Sequence, residues 1–215
     1  MKGMVAGSSG LVGSHCVRII LQDIDLVSGV DLYGRKQTEI NPKFHFIPAD
    51  FQSFPGDLSK DIDFAVCALG TTIGKAGSSA GFQKVDHEFV VNFAKHARTR
   101  GAKKMILVSA LGADEKSKFL YNRTKGKAEQ DLIKLNFESL VILRPSVLLG
   151  VRDDFRLAEK TVFLFEPIYR HLMVGPLQKF RPIRAEVVAA AICRKIMEQT
   201  KKVEFIENDE ILKLR

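Results

Sequence analysis

Ser109, Tyr121 and Lys125 are the residues whose types and spacing suit proton transfer. Tyr121 and Lys125 stand four apart, so on a helix they share one face. An ammonium beside a phenol favours the tyrosinate form, and such a phenol can give a proton to a carbonyl receiving hydride, or take one in reverse. A serine hydroxyl at the end of the preceding strand would hold the carbonyl oxygen. Tyr and Lys four apart are commonplace, and this pair gains its weight from its order in the chain, after a glycine turn and a strand-closing serine. The turn is Gly7-Ser8-Ser9-Gly10-Leu11-Val12-Gly13, a G-x-x-G-x-x-G between a first apolar run and a stretch of helical spacing. Glycines there let backbone amides approach a pyrophosphate at a helix N-terminus, and Gly13 permits close helix-to-strand packing. The motif indicates a dinucleotide and leaves the reaction open.

The elements that must position these groups alternate between short apolar runs and longer helix-spaced stretches, the pattern of βαβ units around a parallel sheet. Strands are expected at Met4 to Ala6, Val30 to Tyr33, Phe44 to Pro48, Phe64 to Leu69, Met105 to Val108, Leu140 to Leu143 and Val203 to Ile206. Helices are expected after the glycine turn, from Gly81 to Arg100, from Phe119 to Leu135 and from Ala185 to Glu198. The fold class is therefore α/β, a doubly wound parallel sheet of the Rossmann type. Residues 1–215 read as one domain, with 151–184 as a small substrate or lid region whose apolar segment Leu157 to Leu172 is interrupted by Pro167.

The end of the second strand bears on which dinucleotide binds. If it ends near Tyr33, Arg35 and Lys36 stand where an adenosine 2′-phosphate would lie, which favours NADP(H). The other reading makes Arg35 and Lys36 a solvated basic loop and Asp31 the ribose ligand of an NAD-preferring site.

Composition narrows the partners. Hydrophobic residues at 46% and charged residues at 27% leave disordered, collagenous and coiled-coil readings without support. The net charge of +8 allows nucleic acid, an anionic membrane or an anionic cofactor. No nucleic-acid motif accompanies it, and Lys103-Lys104 and Lys201-Lys202 read as polar flanks, so nucleic acid is not expected. No apolar run is long enough for a membrane span, and the N-terminal apolar stretch is too short for a signal peptide. Cys16, Cys67 and Cys193 lie far apart with no C-x-x-C pair, which argues against a disulfide framework or zinc and for a reducing, cytoplasmic setting. His15, His45, His87, His96 and His171 lack metal spacing, and Asp153-Asp154 reads as a solvated loop, so no metal is expected. Arg181 and Arg184, flanking Pro182, stand where an anionic substrate could meet them.

Cys67-Ala68-Leu69-Gly70-Thr71-Thr72-Ile73-Gly74-Lys75-Ala76-Gly77, Leu107 to Asp114, Phe119 to Gly126 and Arg144 to Leu149 resemble the short-chain dehydrogenase/reductase superfamily. More narrowly they resemble its atypical Tat-interacting-protein-like oxidoreductase branch. The resemblance implies NADP(H) on Gly7, Gly10 and Gly13, with Arg35 and Lys36 at the 2′-phosphate and Asp50 near the adenine. It places Leu69, Gly70 and Thr71 along the cofactor, the backbone from Pro145 to Val147 at the nicotinamide, and Ser109, Tyr121 and Lys125 as the catalytic triad, with Tyr121 and Lys125 also contacting the cofactor. The implied substrate is a small carbonyl or alcohol, and superfamily relatives often form homodimers. Asp86 departs from the pattern, since many extended members carry asparagine there to hold a relay water. That departure and the small C-terminal region support a second reading, a non-catalytic NADPH-binding redox sensor or scaffold acting through a protein partner.

Overall fold

The computed structural model describes residues 1–23, 25, 27–34, 41–54, 61–150, 173, 175–198 and 201–214. The segment Leu157 to Leu172, His171, the pair Asp153-Asp154, and Arg35 with Lys36 lie outside them.

Seven parallel strands form the central sheet: β1 (Lys2–Ala6), β2 (Gly29–Gly34), β3 (Phe44–Pro48), β4 (Phe64–Cys67), β5 (Lys104–Val108), β6 (Ser139–Arg144) and, after a two-strand ribbon described below, β9 (Val203–Glu207). Their spatial order is β3-β2-β1-β4-β5-β6-β9, so the order reverses between β1 and β4. In such open sheets the crevice beyond the carboxyl ends of the strands at that reversal is where ligands bind. The expected doubly wound parallel sheet is the architecture observed.

Alternation along each strand feeds two cores. Val5, Leu32, Val66, Ile106 and Val141 face α1 (Leu11–Asp23) and α6 (Ala185–Met197), whereas Met4, Ala65, Met105 and Leu140 face α4 (Phe89–Thr99) and α5 (Leu120–Lys134). Every residue of β4 is buried, as its continuous apolar run requires of a strand covered on both sides. The helix expected over 81–100 is present as one continuous run, α3 (Ser79–Gln83) passing through a π-helical turn, Lys84–Glu88, into α4, and a short α2 (Ile73–Ala76) precedes it. The extra residue per turn in a π segment shifts the facing of side chains, and such turns recur at functional sites.

Two-residue strands β7 (Leu148–Leu149) and β8 (Ile183–Arg184) pair in parallel. They fasten the chain leaving β6 to the chain entering α6, below a 3₁₀ turn at Gly175–Phe180. Asn208, first residue of α7 (Asn208–Ile211) and fully buried, reinforces that clasp. Its Oδ1 accepts from Ser146 N at 3.0 Å and its Nδ2 donates to Arg181 O at 2.8 Å. No helix among the described residues is long and apolar enough to cross a membrane.

Candidate active site

The turn from β1 to α1 is closed by its glycines. Gly10 N donates to Gly7 O at 2.9 Å, and a Cβ on Gly13 would lie 2.1 Å from that same Gly7 oxygen, so any side chain there would expel the turn from its position. The result is a shallow cradle over the N-terminus of a 13-residue helix, whose first-turn N–H groups have no carbonyl above them. Gly7, Ser9, Gly10 and Leu11 line the groove that opens from it, Asp50, Phe51 and Phe54 line its far end, and Leu69, Gly70 and Thr71 line its floor. A second cleft shares Leu11, Leu69, Gly70 and Thr71 with the groove and continues past Val12, Ser109, Tyr121, Lys125, Pro145 and Val147. Ser8, by contrast, is buried. The expected residues within the described regions therefore gather along one continuous depression at the strand reversal, and its cradle suits a dinucleotide.

Asp50 follows β3 and is shaped by the turn that it starts. Its Oδ1 accepts from Gln52 N at 2.9 Å and Ser53 N at 3.3 Å, and these bonds hold its carboxyl below the usual range. Asp31, the other ribose reading, is not at the groove. It sits mid-strand, paired in register with Met4 and His45, and its Oδ2 takes Arg100 Nη1 at 2.6 Å. The Asp31 reading is corrected accordingly: three further strand residues carry the chain past it before the groove begins.

Tyr121 and Lys125 leave α5 on the cleft side. Tyr121 stacks on Phe82 with ring centroids 5.5 Å apart and remains 40% exposed, while Lys125 is 6% exposed. Beneath them lies Asp86, 1% exposed, in the π turn. Its Oδ1 is 2.8 Å from Lys125 Nζ, and its Oδ2 accepts from Thr71 N at 2.8 Å. Burial by itself would depress the Lys125 ammonium. The charges of Asp86 and Tyr121 and the bond to Asp86 outweigh it and hold the ammonium above the ordinary lysine range. Asp86 thus meets the lysine directly where the family pattern would place a relay asparagine.

Ser109 closes β5 and is 5% exposed. Its hydroxyl donates to Glu129 Oε1 at 2.5 Å. Glu129, 1% exposed on α5, is also forked by Arg144, with Nε to Oε1 at 3.0 Å and Nη2 to Oε2 at 2.6 Å. Arg144 lies over the Phe205 ring at 4.5 Å, and its bonds to Glu129 raise its own affinity for its proton. Sequence reasoning missed Glu129, although Tyr121, Lys125 and Glu129 recur every four residues, one stripe of the helix. It also missed Gly126: a Cβ there would lie 2.2 Å from Glu115 N, so this glycine lets the loop after Ser109 cross the helix beside Lys125.

The three cysteines are free and buried, with Cys16 and Cys193 Sγ atoms 3.8 Å apart between α1 and α6. No metal-holding group of His, Cys, Asp or Glu occurs among the described residues. His96 faces Tyr33 and His87 faces Asp131, while Lys104 Nζ caps carbonyls at the end of α6.

Comparison with known proteins gives sequence relatives and fold relatives of different kinds. The family model described as HIM1 matches residues 36–172. The protein named "Protein FMP52, mitochondrial" of Eremothecium gossypii is 31% identical over 218 residues, covering 100% of this chain and 97% of its own. The protein named "Protein FMP52-2, mitochondrial" of Scheffersomyces stipitis is 35% identical over 172 residues, 78% of this chain and 75% of its own. Among solved structures, MoeE5 in complex with UDP-glucuronic acid and NAD aligns with TM-score 0.71 at 13% identity, over 99% of this chain and 80% of that one. The UDP-glucuronic acid 4-epimerase of Bacillus cereus in complex with NAD aligns with TM-score 0.68 at 18% identity, over 96% and 77%. At such identities the likeness is one of fold, a Rossmann-type fold. Two expectations are corrected. The family is not the Tat-interacting-protein-like branch, and a cytoplasmic setting gives way before relatives that are named as mitochondrial.

Proposed function

This chain belongs to the HIM1 family, and for it we propose an NADP(H)-dependent oxidoreductase that moves a hydride between a nicotinamide and a small carbonyl or alcohol. The observation that carries the reading is the continuity of the glycine cradle with a cleft in which half-exposed Tyr121 stands over the buried Lys125–Asp86 pair. Fold neighbours crystallised with NAD support a nicotinamide cofactor. Arg35 and Lys36, which follow the last residue of β2 in the chain, support the 2′-phosphate form.

In this reading Gly7 to Gly13 hold the pyrophosphate, Asp50 the adenine end, and Leu69 to Thr71 with Pro145 and Val147 the nicotinamide end. A bound nicotinamide supplies the carbon that exchanges hydride with the substrate. Tyr121 Oη gives its proton to the carbonyl oxygen as the alcohol forms, or takes one in reverse. Lys125 keeps a positive charge beneath that phenol, and Asp86 keeps Lys125 charged inside the fold. Ser109 is a further polar group of the cleft, and residues 151–184 supply the substrate region of a single domain.

Titration with NADPH and, in parallel, NADH, followed by the fluorescence of the nucleotide in a protein that has no tryptophan, tests the reading. NADPH is expected to bind at least about tenfold more tightly, the worth of one ionic phosphate contact. Equal affinity would remove the 2′-phosphate assignment. Binding of neither would overturn the oxidoreductase reading and favour a scaffold.

A further inference from the structure

Ser109 lines the cleft with its hydroxyl already engaged. A serine hydroxyl has one proton and two lone pairs, and a carboxylate can only accept. The 2.5 Å contact between Ser109 Oγ and Glu129 Oε1 therefore commits the serine proton to Glu129. Arg144 occupies both oxygens of that carboxylate and is held in turn by Glu207, with Nη1 to Oε1 at 3.1 Å. Turning the serine proton toward a substrate would break a short, charge-assisted bond in a buried place. Whatever contact Ser109 makes in the cleft, it makes as an acceptor.

That polarity matters because the reacting oxygen already has its partner. During reduction the substrate oxygen takes its proton from Tyr121. During oxidation the one proton of the reacting hydroxyl goes to Tyr121. In neither direction does that oxygen have a proton to spare for Ser109. A second donor on the substrate does. We propose that Glu129 is a positioning residue that fixes Ser109 as an acceptor, so that the cleft selects substrates with a hydroxyl on the carbon next to the reacting one, the α-hydroxycarbonyl and vicinal-diol class. The inference rests on the oxidoreductase reading above and names its substrate class. In the step itself the hydride reaches the carbonyl carbon and the Tyr121 proton reaches the carbonyl oxygen. The neighbouring hydroxyl keeps its proton and donates it to Ser109 Oγ, and the Ser109–Glu129 bond stays intact.

Two ketones that differ by hydroxyl against methyl make the test: 3-hydroxy-2-butanone and 3-methyl-2-butanone, each with NADPH. The wild-type protein is expected to favour the hydroxyketone by about 10- to 100-fold in kcat/KM, the range for one hydrogen bond that discriminates. Ser109→Ala should bring that ratio to within about threefold of unity, since it removes the acceptor, and Glu129→Gln should lower it by about threefold or more, since an amide N–H that occupies one serine lone pair releases the serine proton into the cleft. A ratio near unity in the wild type, or one that both variants leave unchanged, overturns the inference.

The polarity is also read without substrate. The thiol of Ser109→Cys, followed by difference absorbance at 240 nm against the wild type, should titrate above the ordinary value of about 8.5, and adding Glu129→Gln should lower it by about one unit or more. A thiol at or below about 8.5 that Glu129→Gln does not move sinks the proposal, whichever ketone is turned over. Tyr121→Phe separates the two readings. Turnover that survives it removes Tyr121 as the proton donor and with it the mechanism on which the inference rests, while turnover that it abolishes, beside an unmoved thiol, removes the substrate-class inference alone.

Discussion

Two buried clusters in this protein are built from the same parts, an acid, a base and a tyrosine, and they have opposite fates. Along β2, Asp31 takes Arg100 at 2.6 Å, and Arg100 Nη1 also donates to Tyr33 Oη at 2.8 Å. Tyr33 is fully buried, with edge contacts to Phe54, Phe93 and His96, and burial pushes its phenol up. Beyond the carboxyl ends, Asp86 takes Lys125 at 2.8 Å, and Tyr121 above the pair has one stacking partner, Phe82, and an open side. Both clusters neutralise a buried cation. Phe54, Phe93 and His96 close over one phenol and the other stays reachable, so the packing around the tyrosine rather than residue type separates a strut from a candidate active site.

The largest way to break this comparison is Tyr121→Phe. If the open cluster does the chemistry, turnover falls by about 10²- to 10⁴-fold, the usual worth of a positioned acid. Affinity for NADPH should stay within about twofold, because the cradle is untouched. The matched change in the sealed cluster, Arg100→Ala, should act the other way round. It leaves the Asp31 carboxylate, which is mostly buried, with the exposed His45 ring at 3.4 Å in place of the guanidinium and is expected to cost about 3 kcal/mol in urea unfolding. Nucleotide affinity should not move. A variant that unfolds easily and also loses NADPH would show that the two clusters are coupled.

Asp86→Asn sharpens the comparison with a smaller effect. It keeps an acceptor for Thr71 N but removes the charge that opposes burial at Lys125. The Lys125 pKa, now held above the ordinary lysine range, should fall below it. The alkaline limb of the kcat/KM profile is then expected to move to lower pH by about one unit or more, equivalent to roughly 1.4 kcal/mol per unit. A limb that stays in place would show that Lys125 does not govern the phenol.

How much of this was legible in the sequence follows the same division. Strands buried on both faces announce themselves as continuous apolar runs, so β5 and β6 were placed to within one residue at each end, and the glycine turn fell where Gly13 has to touch Gly7. The Tyr121–Lys125 face was legible because four-residue spacing is local information. Glu129 was not, since its meaning depends on Ser109 and Arg144, 20 residues before it and 15 after it, joined through the parallel pairing of β5 and β6. Asp31 stayed open as an alternative ribose ligand because sequence shows that a strand carries an acid and not how far it lies from the strand's end. The β7–β8 clasp was missed because two residues per strand give no period to detect.

The smallest effect lies in the sealed cluster and concerns acid. His96 Nε2 lies 3.0 Å from Tyr33 Oη, and its ring stacks on Phe54 with centroids 4.3 Å apart. Burial, helped by the charge of Arg100, lowers its pKa from the ordinary 6.5 to about 4. Between those values the unfolded chain binds the His96 proton and the folded chain does not, so folding stability rises with pH across that window. The contribution is complete above about pH 6.5 and is lost as pH falls toward 4. A shift of this size corresponds to about 3 kcal/mol in a fully buried place. The ring is half-buried, so solvent screening brings the expected loss to about 1 kcal/mol. Urea midpoints at pH 7 and pH 5 measure it, with the His96 ring protons followed by NMR to assign the titration. A ring that titrates near 6.5 would mean that water reaches the sealed cluster, and the contrast with the open cluster would be one of degree.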